Sequence, residues 1–303
     1  MVCPWVIMVG WWKSVCLDSE RLRCPICEEG SVVLFHDYGS FRLMECTRCD
    51  LLFQHQLDGV DPRRLVSEVY NDRWVAMRQQ YSESTLSEHA AFGVLLLSIC
   101  LPNRGRLLEI GSGTGEFLYL AREAGWDVTG VEPSREACRY ARDHFGLELT
   151  CDLWHSGLID AGRQFTAVAF WHVLEHLMNP RLFLEEVAGR LEPGGLIFLG
   201  VPNRHSFTNL VCGPTSPLLT EPDHLFHFSI SSLMRLLERT NLDPISVFSR
   251  EEPHRLESDI AAAKRAGLEV CGDRPQDRIA LMVRLQSAFN GHELFCIARR
   301  KDT

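Results

Sequence analysis

The segment Glu109-Ile-Gly-Ser-Gly-Thr-Gly115 limits the folds open to this chain more than any other. The apolar run RLLEI (106–110) leads into it as a buried strand, and a helical pattern over about 114–125 leaves it. A glycine turn between strand and helix is where a backbone can approach a bound nucleotide-like ligand closely. Gly111 and Gly113 let the chain pass near the ligand, and Gly115 lets the following helix pack close to the strand. Downstream the pattern keeps alternating. Strands are expected at 127–131, 147–150, 165–171, 195–201, 244–249 and 292–299, and helices near 134–145, 179–191 and 229–240. Such alternation specifies an α/β fold with a seven-stranded, mainly parallel sheet covered by helices on both faces. The last strand lacks an ordinary crossover helix before it and is expected to enter antiparallel.

Two carboxylates flank the turn. Glu109 stands just before the glycines, where a negative charge would repel a pyrophosphate but suits a cationic amino acid group. Glu132 ends the second strand, 21 residues after Gly111, where a carboxylate can accept hydrogen bonds from two ribose hydroxyls. A nicotinamide-binding enzyme would also need an acid there, so Glu132 supports a nucleoside ligand without choosing one. Asp152 follows the third strand and is either an adenine-binding acid or a solvated loop residue.

EIGSGTGEF, GVEPS, FWHVLEHLMNP, LEPGGLIFLGVPN and DHLFHFS occur in this order. Together they resemble the class I S-adenosylmethionine-dependent methyltransferases typified by the ubiquinone-pathway O-methyltransferases. The resemblance is dense over residues 101–250 and looser to Arg299. It implies a Rossmann-like sheet and S-adenosylmethionine as cofactor. Glu109, Gly111, Gly113 and Gly115 would hold its methionine part, Glu132 its ribose and Asp152 its adenine. Trp171 and His172 would flank the sulfonium. Leu191–Gly195 would be a structural turn before the fifth strand.

His172, Glu175 and His176 are spaced to share one face if that stretch is helical, and DHLFHF adds His224 and His227. Some relatives in the resembled superfamily bind a divalent metal through Glu-x-x-Glu-His and a distant His; here His172 replaces the first Glu. Three readings remain open: capping and tethering contacts, a general base without metal, and a metal site. As a base, an imidazole titrating near neutrality could take a hydroxyl proton, and His176 and His224 are the candidates.

Ahead of this, Cys24-Pro-Ile-Cys27 and Cys46-Thr-Arg-Cys49 enclose 18 residues holding two strand-like runs, SVVLF and FRLMEC. Four thiolates so spaced make a tetrahedral zinc ribbon with no open coordination position, so the zinc is expected to be structural. The remaining cysteines are scattered, which fits a reducing, cytoplasmic setting. Three parts follow: residues 1–60 with the ribbon, a helical segment at 61–100 serving as lid, and a cofactor-binding domain at 101–303. The first twelve residues are apolar but too few to span a bilayer.

A net charge of -9, with five Lys/Arg against eight Asp/Glu in residues 1–60, argues against a nucleic-acid partner. The reading is therefore a methyltransferase acting on a small-molecule or glycan hydroxyl, with residues 61–100 and about 251–290 forming the acceptor pocket. The rivals are an RNA or protein methyltransferase docking through the ribbon, a non-catalytic cofactor-binding protein, and a nicotinamide oxidoreductase. Glu109 and the later motifs disfavour the last.

Overall fold

The computed structural model describes residues 22–29, 31–55, 61–80, 83–270 and 272–301. The apolar start, with Cys3 and Cys16, and Cys271 lie outside the described residues. Strands β1 (Val32–Asp37), β2 (Arg42–Cys46) and β3 (Leu51–Gln54) form an antiparallel meander between the cysteine pairs and just past them. Helices α1 (Pro62–Val69), α2 (Asp72–Gln80) and α3 (Glu83–Cys100) follow. Asp61 caps α1, its carboxylate accepting from the Arg63 N–H ahead of a proline in the first turn.

The alternating region then runs β4 (Arg106–Ile110), α4 (Glu116–Glu123), β5 (Asp127–Val131), α5 (Arg135–Phe145), β6 (Phe165–Trp171), α6 (Pro180–Ala188) and β7 (Leu191–Pro202). It continues through α7 (Phe207–Cys212), β8 (Phe226–His227), α8 (Ile230–Glu238) and β9 (Leu242–Arg250). Helices α9 (Pro253–Arg265) and α10 (Pro275–Ser287) precede β10 (Glu293–Arg300). The large sheet has the order β5-β4-β6-β7-β10-β9. β5, β4, β6 and β7 are parallel, and β10 runs antiparallel between β7 and β9, as expected of the last strand.

Among the described residues the sheet holds six strands where seven were expected. The stretch 147–150 makes a single bridge, Val131 to Thr150. Leu147 is buried beside the Gly115 turn and Leu149 points at Gly130, so these side chains fill the space beside β5 without the chain forming a ladder. Leu191-Glu192-Pro193-Gly194-Gly195 is the opening of β7, with Gly194 at φ +78° and a register shift against β6. The turn expected before the fifth strand is thus corrected: these residues belong to the strand itself, as its bent start.

The ribbon meander does not stand apart. β3 pairs antiparallel with β8, Leu52 opposite His227 and Phe53 opposite Phe226, giving a second sheet of order β1-β2-β3-β8. Cys24, Ile26, Leu51 and Phe53 share one buried apolar cluster with Phe170, Val201, Phe226 and Leu233.

Candidate active site

The glycine turn lies at the C-terminal end of β4, where ligands bind in open α/β sheets. Gly111, Gly113 and Gly115 all have positive φ, +75°, +52° and +90°. A Cβ on Gly115 would come within 3.1 Å of Ala141 on α5, so this glycine serves packing. A Cβ on Gly111 would stand 2.5 Å from a methyl of Val173, whereas at Gly113 the nearest atom is in the Trp74 ring at 3.6 Å. The backbone at Gly113 is thus the open face of the turn.

Glu132 is buried, each oxygen accepting a backbone N–H at 2.8 Å, one from Gly113 and one from Ser134. Burial pushes its carboxyl up and these two N–H groups oppose the rise only in part. Glu109 is buried as well, and its Oε2 meets no hydrogen-bond partner. Burial, then Glu116 and Glu132, push its carboxyl well above the usual range. A buried orphan acid calls for a cation or a donor. Asp152 sits on the loop after the Thr150 bridge, 3.2 Å from the Arg63 guanidinium of α1.

α1 and α2 close this side. Ser134 donates to the Tyr70 carbonyl at 2.6 Å, and Arg78 donates to Thr114 Oγ1 at 3.1 Å while lying over the Trp74 ring. Trp171 packs edge-on against Phe117 and beside Phe295.

The histidine motif departs from expectation. Residues 172–176 do not form a helix face: His172 closes β6 in a left-handed conformation, φ +53°, and Leu174–His176 is a single 3-10 turn. His172 Nε2 hydrogen-bonds Glu293 of β10, and its Nδ1 lies 3.2 Å from Glu175. Burial lowers its pKa, but the two carboxylates, Glu175 and Glu293, outweigh this and push it well above the usual histidine range. Glu175 is fully buried. Burial raises its carboxyl and the imidazoles of His172, His176 and His224 more than compensate, leaving it below the usual range. The rings of His89 and His172 lie 6.1 Å apart, and Arg250 stands 3.7 Å from Glu293.

His176 turns the other way. Its Nδ1 meets the Asp223 carbonyl at 2.9 Å, which places the proton there and leaves Nε2, 3.2 Å from the Tyr70 hydroxyl, as the basic nitrogen. Burial lowers its pKa, so the ring is neutral at pH 7. His224 lies 4.8 Å from it, ring to ring, with Nε2 at 3.0 Å from Glu221. Its pKa is raised: burial is outweighed by Glu221 and Glu175. His227 is buried beside them, pushed by burial down to about 3.

Glu175, His176 and His224 each offer a ligand atom, all within 4.8 Å of one another, as do His89, His172 and Glu293. The structure places His176 beside His224, the two residues offered as candidate bases, and brings to them Tyr70 and Asp223, with Glu293 and Arg250 near His172, which the sequence reading missed.

The four ribbon cysteines are buried with their sulfurs within 4.8 Å of one another. Cys24–Cys49 and Cys27–Cys46 stand 3.5 Å apart, against about 3.8 Å between sulfurs of a tetrahedron with Zn–S bonds of 2.3 Å. The two knuckles match. After each Cys-x-x-Cys a residue adopts φ +61° (Glu28, Asp50) and donates its N–H to the first cysteine's carbonyl at 2.8 Å.

A family model described as a methyltransferase domain matches residues 53–247. The ubiquinone biosynthesis O-methyltransferase of Dinoroseobacter shibae is 30% identical over 152 residues, covering 46% of this chain and 60% of that protein. The Bordetella avium enzyme of the same description is 27% identical over 177 residues, covering 56% and 64%. The chain thus spans about three fifths of the length of these curated relatives. Among solved structures, the plantazolicin methyltransferase BpumL in complex with SAH superposes with TM-score 0.53 at 14% identity, covering 80% of this chain and 95% of that one. A SAM-dependent methyltransferase from Thermotoga maritima superposes at 0.52 and 18% identity, covering 80% and 100%.

Proposed function

The chain belongs to the methyltransferase-domain family, and on that premise we propose that it uses S-adenosylmethionine to methylate a hydroxyl of a small-molecule or glycan acceptor. The observation that carries the cofactor assignment is the orphaned, buried Oε2 of Glu109 at the end of β4, beside a turn whose open face is Gly113. Glu109 and the turn take the charged amino acid end, Glu132 the ribose hydroxyls, and Asp152 with Arg63 frames the adenine side. Bound there, S-adenosylmethionine supplies an electrophilic methyl group on a sulfonium. α1 and α2, through Tyr70, Trp74 and Arg78, cover the site and exclude water, and α3 with the α9–α10 segment completes the acceptor side.

His176 is the base of this reading. Its Nδ1–H is anchored on the Asp223 carbonyl, and its Nε2, hydrogen-bonded to the Tyr70 hydroxyl in this structure, is the nitrogen that would take the proton of an acceptor O–H. His224 and Glu175 set the field around it. O-methylation of a small molecule is supported by what the curated relatives are named for. One observation favours a second reading of the same residues: neither oxygen of Glu175 meets a well-aligned donor. Glu175, His176 and His224 would then hold a divalent cation that polarises the acceptor hydroxyl.

The ribbon cysteines would hold one zinc, closed by four sulfurs and structural. No helix among the described residues is long and apolar enough to cross a membrane. The rival nucleic-acid reading needs a free basic face on the ribbon. Instead, its Glu45 and Asp50 are engaged by Arg204. Calorimetry tests the proposal directly: S-adenosylmethionine or its demethylated product should bind and NAD should not. Binding of NAD alone would overturn it, and RNA binding that weakens steeply with salt would favour the rival.

A further inference from the structure

β8 is two residues long, yet it carries the segment 221–229 that holds Asp223 and His224 against His176. So short a strand cannot fix its own register. Its ladder partner is β3, which begins two residues after Cys49. Gln54, at the end of β3 and buried, donates its backbone N–H to the Leu225 carbonyl at 2.9 Å. Its side-chain amide donates to the Pro222 carbonyl at 2.9 Å and the His224 carbonyl at 3.1 Å. On the far side, the Leu225 N–H donates to the Glu175 carbonyl at 2.8 Å. The histidine segment is thus stitched between the 3-10 turn of Glu175–His176 and the ribbon.

The ribbon is itself locked down by charge. Glu28 of the first knuckle lies 2.7 Å from Arg239 at the end of α8, and Asp50 of the second 2.6 Å from Arg204 past β7. The acidic excess of this front end therefore faces arginines of the large domain. We propose that the ribbon is a built-in part of the acceptor site, with Gln54 as the positioning residue that sets His224 and Asp223, and with metal in the four-cysteine site holding β3 in place for it. The inference rests on the methyltransferase reading for its effect on turnover, but its structural half does not.

The test uses the full chain and amide hydrogen exchange. Gln54→Met keeps length and burial but removes both side-chain donors. Exchange across 222–228 should accelerate about tenfold, the order expected for losing one or two hydrogen bonds, while 106–132 and the zinc content stay unchanged. Zinc stripped from the wild type by a chelator should release 222–228 together with 24–54, again sparing 106–132. If the variant does not fold, the stripped wild type decides. On the acceptor, Gln54→Met should lower kcat/KM about tenfold with the cofactor Kd unchanged. Unaltered exchange at 222–228 in both experiments would overturn the proposal. Altered exchange in a wild type that binds neither S-adenosylmethionine nor S-adenosylhomocysteine would sink the methyltransferase reading and leave the coupling standing.

Discussion

Gly111 and Gly113 are neighbours in one turn, both left-handed, yet they should fail differently when given a methyl group. For either, a non-glycine residue at positive φ costs about 1–2 kcal/mol. At Gly113 little more is owed, since the nearest atom to a new Cβ is 3.6 Å away in Trp74. At Gly111 the new atom falls 2.5 Å from Val173 Cγ2, and overpacking of this kind adds about 1–3 kcal/mol. Val173 has little freedom to yield, because it connects His172, pinned to Glu293, with the turn of Glu175. Gly111→Ala should therefore be less stable than Gly113→Ala by about 1–3 kcal/mol in denaturant titrations without ligand. Affinity for S-adenosylhomocysteine should show the opposite weighting. The Gly113 methyl enters the space between turn and α2 that the cofactor would use, and binding should weaken at least about tenfold, or 1.4 kcal/mol. Equal stability of the two variants would refute the argument from Val173. Wild-type affinity in Gly113→Ala would refute the placing of the ligand over that glycine.

Glu109→Gln should stabilise the ligand-free protein at pH 8 and weaken cofactor binding, by calorimetry. The sign follows from the raised carboxyl: the unfolded chain loses that proton near the ordinary value of 4.5 and the folded chain only at higher pH. Stability from this group is thus complete below about pH 4.5 and lost as pH climbs through the folded value, a decline absent in the variant. His176→Ala should lower turnover about 10²–10⁴-fold, the range for acid–base groups, with cofactor Kd unchanged. Because burial lowers the His176 pKa, the acid limb of the wild-type rate profile should fall below the ordinary histidine value of 6.5. Chelator inhibition with the ribbon's zinc still in place would instead favour the metal reading. Elemental analysis should find about one zinc per chain, lost in Cys24→Ser or Cys46→Ser, as expected where site formation and folding are coupled.

What could be read in the sequence was what has a local period or a fixed spacing. The strand and helix alternation from 106 to 250, the positive-φ glycines and the paired cysteines all carry their signals within a few residues. Residues that meet across the fold were not legible. Tyr70 reaches His176 across 106 positions and Glu293 reaches His172 across 121. Glu293 did leave a trace, a carboxylate directly before the apolar run LFCIA of the last strand, since a buried charge in a sheet needs a partner. The segment 147–150 had strand composition, but after the left-handed Gly146 it meets β5 only at Thr150, while Leu147 and Leu149 pack inward, so the pairing stops at one bridge. DHLFHF carried histidines and aromatics that suggested chemistry, and nothing in it announced a two-residue strand for the ribbon.

The position of His172 shows how one backbone angle redistributes a whole motif. On a helix, His172, Glu175 and His176 would have presented one three-ligand face. The left-handed φ at His172 ends β6 abruptly and swings its ring toward β10, so the carboxylate of Glu175 is left between two imidazoles on different sides. The result is an alternating series of charged groups, Arg250, Glu293, His172, Glu175, in which the two carboxylates are buried and the His172 ring is about a third exposed (36%), running from β9 toward the His176–His224 pair. Removing His172 would leave two buried carboxylates without their partner, which is costly even where the lost cation is itself part-exposed. The series therefore tends to hold together as a unit. The His172 imidazole beside Glu175 helps hold its carboxyl below the usual range, and a carboxylate there suits either reading of the site: a negative charge beside the base, or a ligand for a cation.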